Sequence, residues 1–343
     1  MVEAILPHPE DGHASPPTAI RCDDDEDSPM RFMLASAIAA MASAGTAFAN
    51  CGAAVCSVTS NWNVQSVQPV AGSGRLDLRY EFIDQSRPWR GTRRTDVAGD
   101  DEATETRTLN RNLTAALDYA FTDHWAVGLS LPVLSRGHDH IAAPQGTPQT
   151  ETWNATRLGD ARVTASWRNA DDKEPTRAAG VTAGLKLPTG THRMTNRDNV
   201  PAERSLQPGT GSTDAILGAF ATAPGSNGGL WFASVAFQAA VTVRDQYRPG
   251  NQWTVTGGYR HPVTPHLAAA LQLNATARQR DTGVQAESDV TGGSFVFVSP
   301  GLSWGVSPVT ELYAFVQAPV YRNVRGAQLT FDWAAVAGVS HRF

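Results

Sequence analysis

The chain has 343 residues, of which 41% are hydrophobic and 18% are charged, and its formal net charge is -5. A typical soluble domain has about 25% charged residues, so this chain is poor in charge. Three cysteines are too few for a disulfide-rich scaffold, and the composition also excludes collagen and a disordered chain. The negative charge gives no electrostatic basis for binding nucleic acid. Apart from one segment near the N-terminus, no run of about 20 apolar residues predicts a membrane-spanning helix.

The N-terminal region differs from the rest of the chain. Residues 1–29 are polar and acidic, and we interpret them as a disordered extension or as the product of a mis-called start codon. Residues 30–49 combine one arginine, an apolar run and a small-x-small cleavage site, which predicts a secretory signal peptide. A cytoplasmic tail with a membrane anchor is the alternative, which the short, alanine-rich apolar run disfavours. Cleavage after Ala49 would leave 25 acidic and 26 basic residues, so the acidity lies in the prefix.

Two cysteines follow the predicted cleavage site. In an oxidising compartment, Cys51 and Cys56 would most simply form one small disulfide loop. A redox or metal-binding role for the pair is the alternative. The surrounding segment, residues 50–74, is either a periplasmic segment or long enough to fold into a pore as a plug.

From residue 75 onward, apolar and polar side chains alternate with a period of two, which is typical of strands with one apolar face. Twelve runs predict strands at 76–82, 113–121, 125–133, 161–167, 181–187, 212–223, 231–241, 253–259, 267–275, 293–305, 312–320 and 329–343. The run 212–223 alternates less cleanly, and 293–305 is apolar on both faces. The segments between them alternate in length. The longer ones are 84–107, 135–157, 188–211, 243–250, 279–292 and 322–327. Short turns at one end, longer loops at the other and an even strand number are typical of outer-membrane barrels.

We therefore predict an all-β fold, a transmembrane antiparallel β-barrel of about 12 strands over residues 75–343. A closed barrel pairs every backbone amide in hydrocarbon and leaves no sheet edge. Aromatic residues at the predicted strand ends would form interfacial girdles: Tyr119, Phe121, Trp125, Trp167, Trp253 and Tyr259. A soluble β-sandwich also alternates, but it would not explain the secretion signal. The predicted location is the bacterial outer membrane, and its lipid is a predicted partner.

If the apolar faces meet lipid, the opposite faces line a pore. The lumen-lining candidates are Arg79, Asp118, Arg162, Lys186, Arg260, Tyr313 and Asp332. Further aromatic side chains inside the barrel would be those of Phe295, Phe297, Phe315 and Tyr321. Two interpretations remain open for the charges. They could form salt bridges that stiffen a narrow interior, or a polar path whose arginine excess favours anions or polarised solutes. Twelve strands make a narrower tube than the 16–18-stranded porins, so we expect a partly filled pore.

Other chemistry is less well supported. His138 and His140 would share the inner side of one strand, a spacing that can hold copper or zinc, with His192 as a third candidate ligand. A solvated loop pair is the alternative. Nucleophilic catalysis needs a base close to the nucleophile, and no pore-facing serine has a histidine nearby in the sequence. We predict no enzyme activity and no cofactor.

Three short motifs carry a resemblance to a known family. They are Leu-Gly-Asp at 158–160, Leu-Lys-Leu-Pro-Thr-Gly at 185–190 and Leu-Gln-Pro-Gly-Thr-Gly-Ser-Thr-Asp at 206–214. This pattern resembles the outer-membrane proteins of the phenol meta-pathway degradation (MetA-pathway) transporter-like family. The terminal strand, which ends in Phe343, also resembles the recognition signal of outer-membrane proteins, which implies the barrel assembly machinery as a partner. Pro188 ends a strand, and the glycines allow tight turns. The loop that they form is expected to fold over the mouth as a gate; the alternative is that these residues only shape turns.

The family resemblance implies a channel for small solutes, with hydrophobic or aromatic compounds as the first expectation. The alternative is a closed structural or metal-binding barrel without open-pore transport. The two functions differ in whether the lumen carries ions across a bilayer.

Overall fold

The computed structural model describes residues 70–96, 98–99, 103–142, 147–169, 176–284 and 286–343. The predicted N-terminal extension, the signal peptide and the Cys51–Cys56 pair lie outside these ranges, as does all but the end of the proposed plug. No helix within the described ranges is both long and apolar enough to cross a membrane.

Eighteen β-strands lie in the described residues. They are β1 (Gly74–Gln85), β2 (Arg87–Gly91), β3 (Arg93–Arg94), β4 (Ala98–Gly99), β5 (Ala103–Ala120), β6 (Trp125–Ala142), β7 (Gln149–Leu158), β8 (Ala161–Arg168), β9 (Ala178–Leu187), β10 (Asp214–Pro224), β11 (Leu230–Ala240), β12 (Tyr247–Arg248), β13 (Gln252–Pro262), β14 (Leu267–Arg278), β15 (Thr282–Gly283), β16 (Gly293–Gly305), β17 (Thr310–Thr330) and β18 (Ala334–Arg342). Two short 3-10 turns lie at Arg204–Leu206 and Ser226–Gly228.

Twelve of these strands form a closed antiparallel barrel, which confirms the predicted fold. Their order around the wall is β1, β5, β6, β8, β9, β10, β11, β13, β14, β16, β17 and β18, and β18 pairs with β1. Two backbone hydrogen bonds between Gly74 and Phe343, at 2.8 and 3.0 Å, extend this closure. Both ends of the barrel sequence therefore lie at one rim, called the terminal end here; the opposite rim is the loop end.

The alternation of side chains explains the barrel wall. On β1, Leu76 and Tyr80 are exposed on the outside, whereas Asp77 and Glu81 are buried inside. Leucine, valine and alanine continue this apolar band on the other strands. Exposed aromatic residues flank it at both rims: Tyr119, Phe121, Trp125, Trp167, Trp231 and Trp304 at the terminal end, and Tyr80, Trp253 and Trp333 towards the loop end. Such girdles are a property of barrels that sit in a bilayer.

Five segments predicted as loops contain strand; two of them hold only the short strands β12 and β15, and in the other three the barrel strands themselves continue. β6 continues to Ala142 and pairs with β7, so most of the predicted loop 135–157 is a hairpin. Likewise β5 begins within 84–107, and β17 runs through 322–327. The alternation of apolar and polar residues fails there for a physical reason: past the lipid band both faces of a strand meet polar surroundings, as with Ser135 and Asp139.

The predicted last strand, 329–343, is wrong at its start. Leu329 belongs to the end of β17, and a turn at 331–333 precedes β18. Leu329 and Phe331 are both 1% exposed, whereas Trp333 is 51% exposed. The apolar period therefore continues across the hairpin turn, which hides the boundary in the sequence.

The expected inward position of Tyr321 is also wrong. The pairing of β16 with β17 shifts register between Val296 and Phe297, opposite Pro319 and Tyr321. A bulge of this kind moves the following side chains to the other face. Tyr321 is accordingly 45% exposed on the outside, next to Val320 at 63%.

Candidate functional site

The inward side chains divide the lumen into a polar part and an aromatic part. The aromatic part is a buried cluster from β1, β16, β17, β18 and the turn between the last two: Ile83, Phe295, Phe297, Tyr313, Phe315, Val324, Phe331, Ala334 and Val336. The ring of Phe297 stacks on Phe295 at 5.8 Å and on Phe331 at 5.6 Å. Tyr313 donates its hydroxyl to Asp77 Oδ1 at 2.9 Å, which joins the two parts. This cluster explains why residues 293–305 are apolar on both faces.

Lys186 is the centre of a buried polar network. Its ammonium group lies 2.9 Å from Asp160 Oδ2 and 3.3 Å from Asp214 Oδ1. It also donates to Thr210 Oγ1 and, at 3.0 Å, to the carbonyl oxygen of Ser212. Lys186 is 4% exposed and Asp214 is 2% exposed. A buried charge is tolerated when it is paired and hydrogen-bonded, so these contacts hold β9, β10 and the β7–β8 junction together.

The three sequence motifs meet at this network. Asp160, from the first motif, accepts the backbone N–H groups of Gly190 and Thr210, both at 3.0 Å. Gly190 and Gly209 pack back to back: a Cβ atom on Gly209 would lie 2.6 Å from the carbonyl carbon of Gly190. Glycine allows this close backbone approach. The motifs therefore build one tertiary structure and are more than local turn chemistry.

The segment between β9 and β10, residues 188–213, packs on the inner face of the wall at the loop end. Its apolar side chains form a buried cluster with Trp153 of β7: Met194, Ala202 and Leu206. The Trp153 indole donates to the carbonyl oxygen of Val200 at 3.1 Å, and Arg136 of β6 donates to that of Ser205 at 3.1 Å. This inner segment, residues 188–213, therefore folds into the barrel, whereas the sequence suggested a loop over the mouth.

Arg162 faces the lumen and is exposed to solvent. The charged side chains around it are those of Asp214, Arg79, Asp160 and Glu81. Arg79 and Glu81 stand on β1, which β5 and β6 separate from β8, so they act across the interior. Because Arg162 lies inside a closed wall, its exposure reports a water-accessible space between these charges.

Ion pairs occupy the lumen near the terminal end. Arg75 lies 2.6 Å from Asp118, and Arg260 lies 2.8 Å from Glu311. The Asp118 side chain is 41% exposed and therefore reaches solvent inside the barrel. A cavity of about 470 Å³ opens beside Arg260 and Glu311. Its volume falls in the range of small-molecule sites, about 300–1,000 Å³.

His138 and His140 lie on the inner face of β6, beyond the apolar band, and are 1% and 4% exposed. Their ring centroids are 5.7 Å apart. His140 Nε2 lies 3.0 Å from Glu151 Oε2, whereas His192 lies 3.7 Å from Asp245. Within the ranges that the structure describes, no group of three His, Cys, Asp or Glu side chains is arranged to hold a metal ion.

Acid is expected to destabilise the barrel through His138. Burial lowers its pKa to about 3, and the charges of His140 and Arg136 act in the same direction. An unfolded histidine has a pKa of about 6.5, so the unfolded chain binds the proton first and stability falls as pH drops from about 6.5 towards 3. We expect about 2 kcal/mol of loss between pH 7 and pH 5, and a smaller loss in His138→Gln. Urea unfolding at both pH values measures it, and equal losses in the two proteins would contradict this assignment.

Asp332 lies away from the lumen. It sits in the turn between β17 and β18, its side chain is 49% exposed, and it lies 2.8 Å from Arg87 Nε. The sequence placed it inside because the last strand was started too early.

Asp214, by contrast, was missed as a lumen residue, because the run 212–223 alternates poorly. Its place in the Gly-Ser-Thr-Asp motif, next to the motif of Lys186, is the signal that could have found it.

Comparison with known proteins gives a family and a fold. The family model for the MetA-pathway of phenol degradation matches residues 129–335. A crystal structure of an outer membrane channel from Pseudomonas putida F1 has a TM-score of 0.60 and 13% identity over 84% of this chain and 100% of the channel. The CymD monoaromatic hydrocarbon channel has a TM-score of 0.40 and 8% identity over 80% and 90% of the two chains. A TodX mutant channel has a TM-score of 0.43 and 11% identity over 83% and 95%. No curated protein matches the sequence.

Proposed function

Because this chain belongs to the family described as the MetA-pathway of phenol degradation, we propose that it is an outer-membrane channel for small solutes, with hydrophobic or aromatic compounds as the first candidates. The terminal end then faces the periplasm, as export through a signal peptide requires. The loop end, with the inner segment 188–213, faces the outside. Outer-membrane lipid surrounds the apolar band, and the barrel assembly machinery would recognise the Phe343 strand.

The observation that carries the proposal is the solvent exposure of Arg162 inside a closed wall. A filled interior would bury this side chain, as it buries Lys186 and Asp214. The exposed guanidinium of Arg162, the ion pairs near the terminal end and a cavity beside Arg260 support a continuous polar path. Charges that line such a path set its ion selectivity.

Single-channel recording in a planar bilayer tests this function. We expect the purified protein to conduct steadily, and phenol to reduce the current by occupying the lumen. Arg162→Glu should move the ion selectivity severalfold towards cations, because it replaces a lumen cation with an anion. Arg87→Glu, on a residue that pairs with Asp332 at the outer turn, makes the same charge change away from the lumen and should leave the selectivity unchanged.

A closed barrel is the second candidate, and the buried face of β14 and β16 favours it. Gln272 is 0% exposed and Phe297 is 2% exposed, so this side of the interior is filled. A correctly folded barrel that carries no current would support this function over transport. Zinc titration of the parent and of His138→Ala then tests whether the barrel binds metal through His138. Identical zinc binding by both proteins would contradict such a site.

A further inference from the structure

Arg162 differs from the other basic side chains of the lumen. No hydrogen bond or ion pair joins it to another residue within the described ranges. Five others have an acidic partner: Arg75 with Asp118, Arg79 with Glu81, Lys186 with Asp160, Arg260 with Glu311 and Arg278 with Asp281, at 2.6–3.2 Å. Three more, Arg136, Arg168 and Arg342, donate to amide or backbone oxygens. Arg162 is therefore a lumen guanidinium that is exposed to water and has neither a hydrogen bond nor an ion pair in the described part of the chain.

The carboxylates near Arg162 are already engaged. Asp160 accepts from Lys186 and from two backbone N–H groups. Asp214 accepts from Ser212 Oγ at 2.7 Å and from Gln238 Nε2 at 2.6 Å. Glu81 likewise accepts from an asparagine and lies beside Arg79. None of these acids contacts the guanidinium, whose five N–H donors remain available to a guest.

We propose that Arg162 is the binding residue of a lumen subsite for small monocarboxylates. This inference rests on the proposed channel function and names the class of solute. A guanidinium presents two parallel N–H donors that match the two oxygens of a carboxylate. Removal from bulk water strengthens such a charged pair. A monocarboxylate brings one negative charge to this guanidinium, and the second charge of a dianion would meet Glu81, Asp160 and Asp214.

Calorimetry of the full-length protein in detergent tests the subsite with benzoate as the probe. Benzamide, which has nearly the same shape and no charge, is the matched ligand control. We expect Arg162→Gln to weaken benzoate binding at least about tenfold, which is the usual size of a hydrogen-bonded charge contribution. Arg162→Lys should retain part of the affinity, because the charge stays and the fork is lost. Inorganic phosphate should bind more weakly than benzoate.

Several outcomes would overturn the subsite. These are equal benzoate binding by the parent and Arg162→Gln, equal binding of benzoate and benzamide, or tighter binding of phosphate. Arg87→Gln serves as the charge-matched control and should bind benzoate like the parent. If Arg162→Gln does not fold, Arg162→Lys with the benzamide comparison still decides the matter. If the protein conducts but does not bind benzoate, only the subsite is contradicted. If it binds benzoate but carries no current, only the channel function is contradicted.

Discussion

Replacing Lys186 with methionine is expected to lower the free energy of unfolding by about 3–5 kcal/mol. The substitution keeps the length of the side chain but leaves Asp160 and Asp214 without their shared cation. Asp214 is 2% exposed, so its charge cannot turn to solvent. Removal of one partner from a buried ion pair costs more than the pair itself contributes, because a charge stays buried and uncompensated.

Urea unfolding followed by tryptophan fluorescence measures this loss. Arg107→Met is the matched control, because Arg107 pairs with Asp84 at 2.6 Å on the surface and is 50% exposed. Exposed pairs contribute about 0–1 kcal/mol, so this variant should unfold nearly as the parent does. Similar losses in the two variants would show that the Lys186 network does not stabilise the barrel. The network also anchors the segment 188–213, so Lys186→Met should raise the single-channel current as well.

Gly209→Ala is expected to cost about 1–3 kcal/mol through overpacking. The added methyl group would lie 2.6 Å from the Gly190 carbonyl carbon and 2.7 Å from Asp160 Oδ1. Backbone atoms and a buried carboxylate cannot yield as a flexible side-chain tip could. The two halves of the motif must therefore separate, which weakens the hydrogen bonds that Asp160 accepts.

Gly257→Ala is the control for this substitution. A Cβ atom there would have its nearest neighbour, the Phe232 carbonyl oxygen, at 4.0 Å. Alanine should be neutral or slightly stabilising at this strand position, because glycine loses more backbone freedom on folding. Thermal or urea unfolding of both variants makes the comparison. A Gly209→Ala protein as stable as Gly257→Ala would mean that the motif tolerates separation.

Local patterns predict well where lipid surrounds the wall. Period-two alternation located the membrane-spanning part of most barrel strands, because hydrocarbon on one side and polar groups on the other impose it directly. The prediction failed at Tyr321, where one extra residue in β17 reverses the faces, and at Leu329, where apolar residues continue through a turn. Neither event leaves a mark in the alternation itself.

The amino-acid sequence by itself determined the closed barrel, its strand number and its family, since these follow from short-range periodicity and from three brief motifs. Only the tertiary structure decided what the interior does. Asp160, Lys186 and Asp214 are far apart in the chain, yet one ammonium group contacts both carboxylates. Once those partners are taken, Arg162 is left facing water. Which charges cancel and which remain depends on distances across the lumen, and these exist only after the wall has closed.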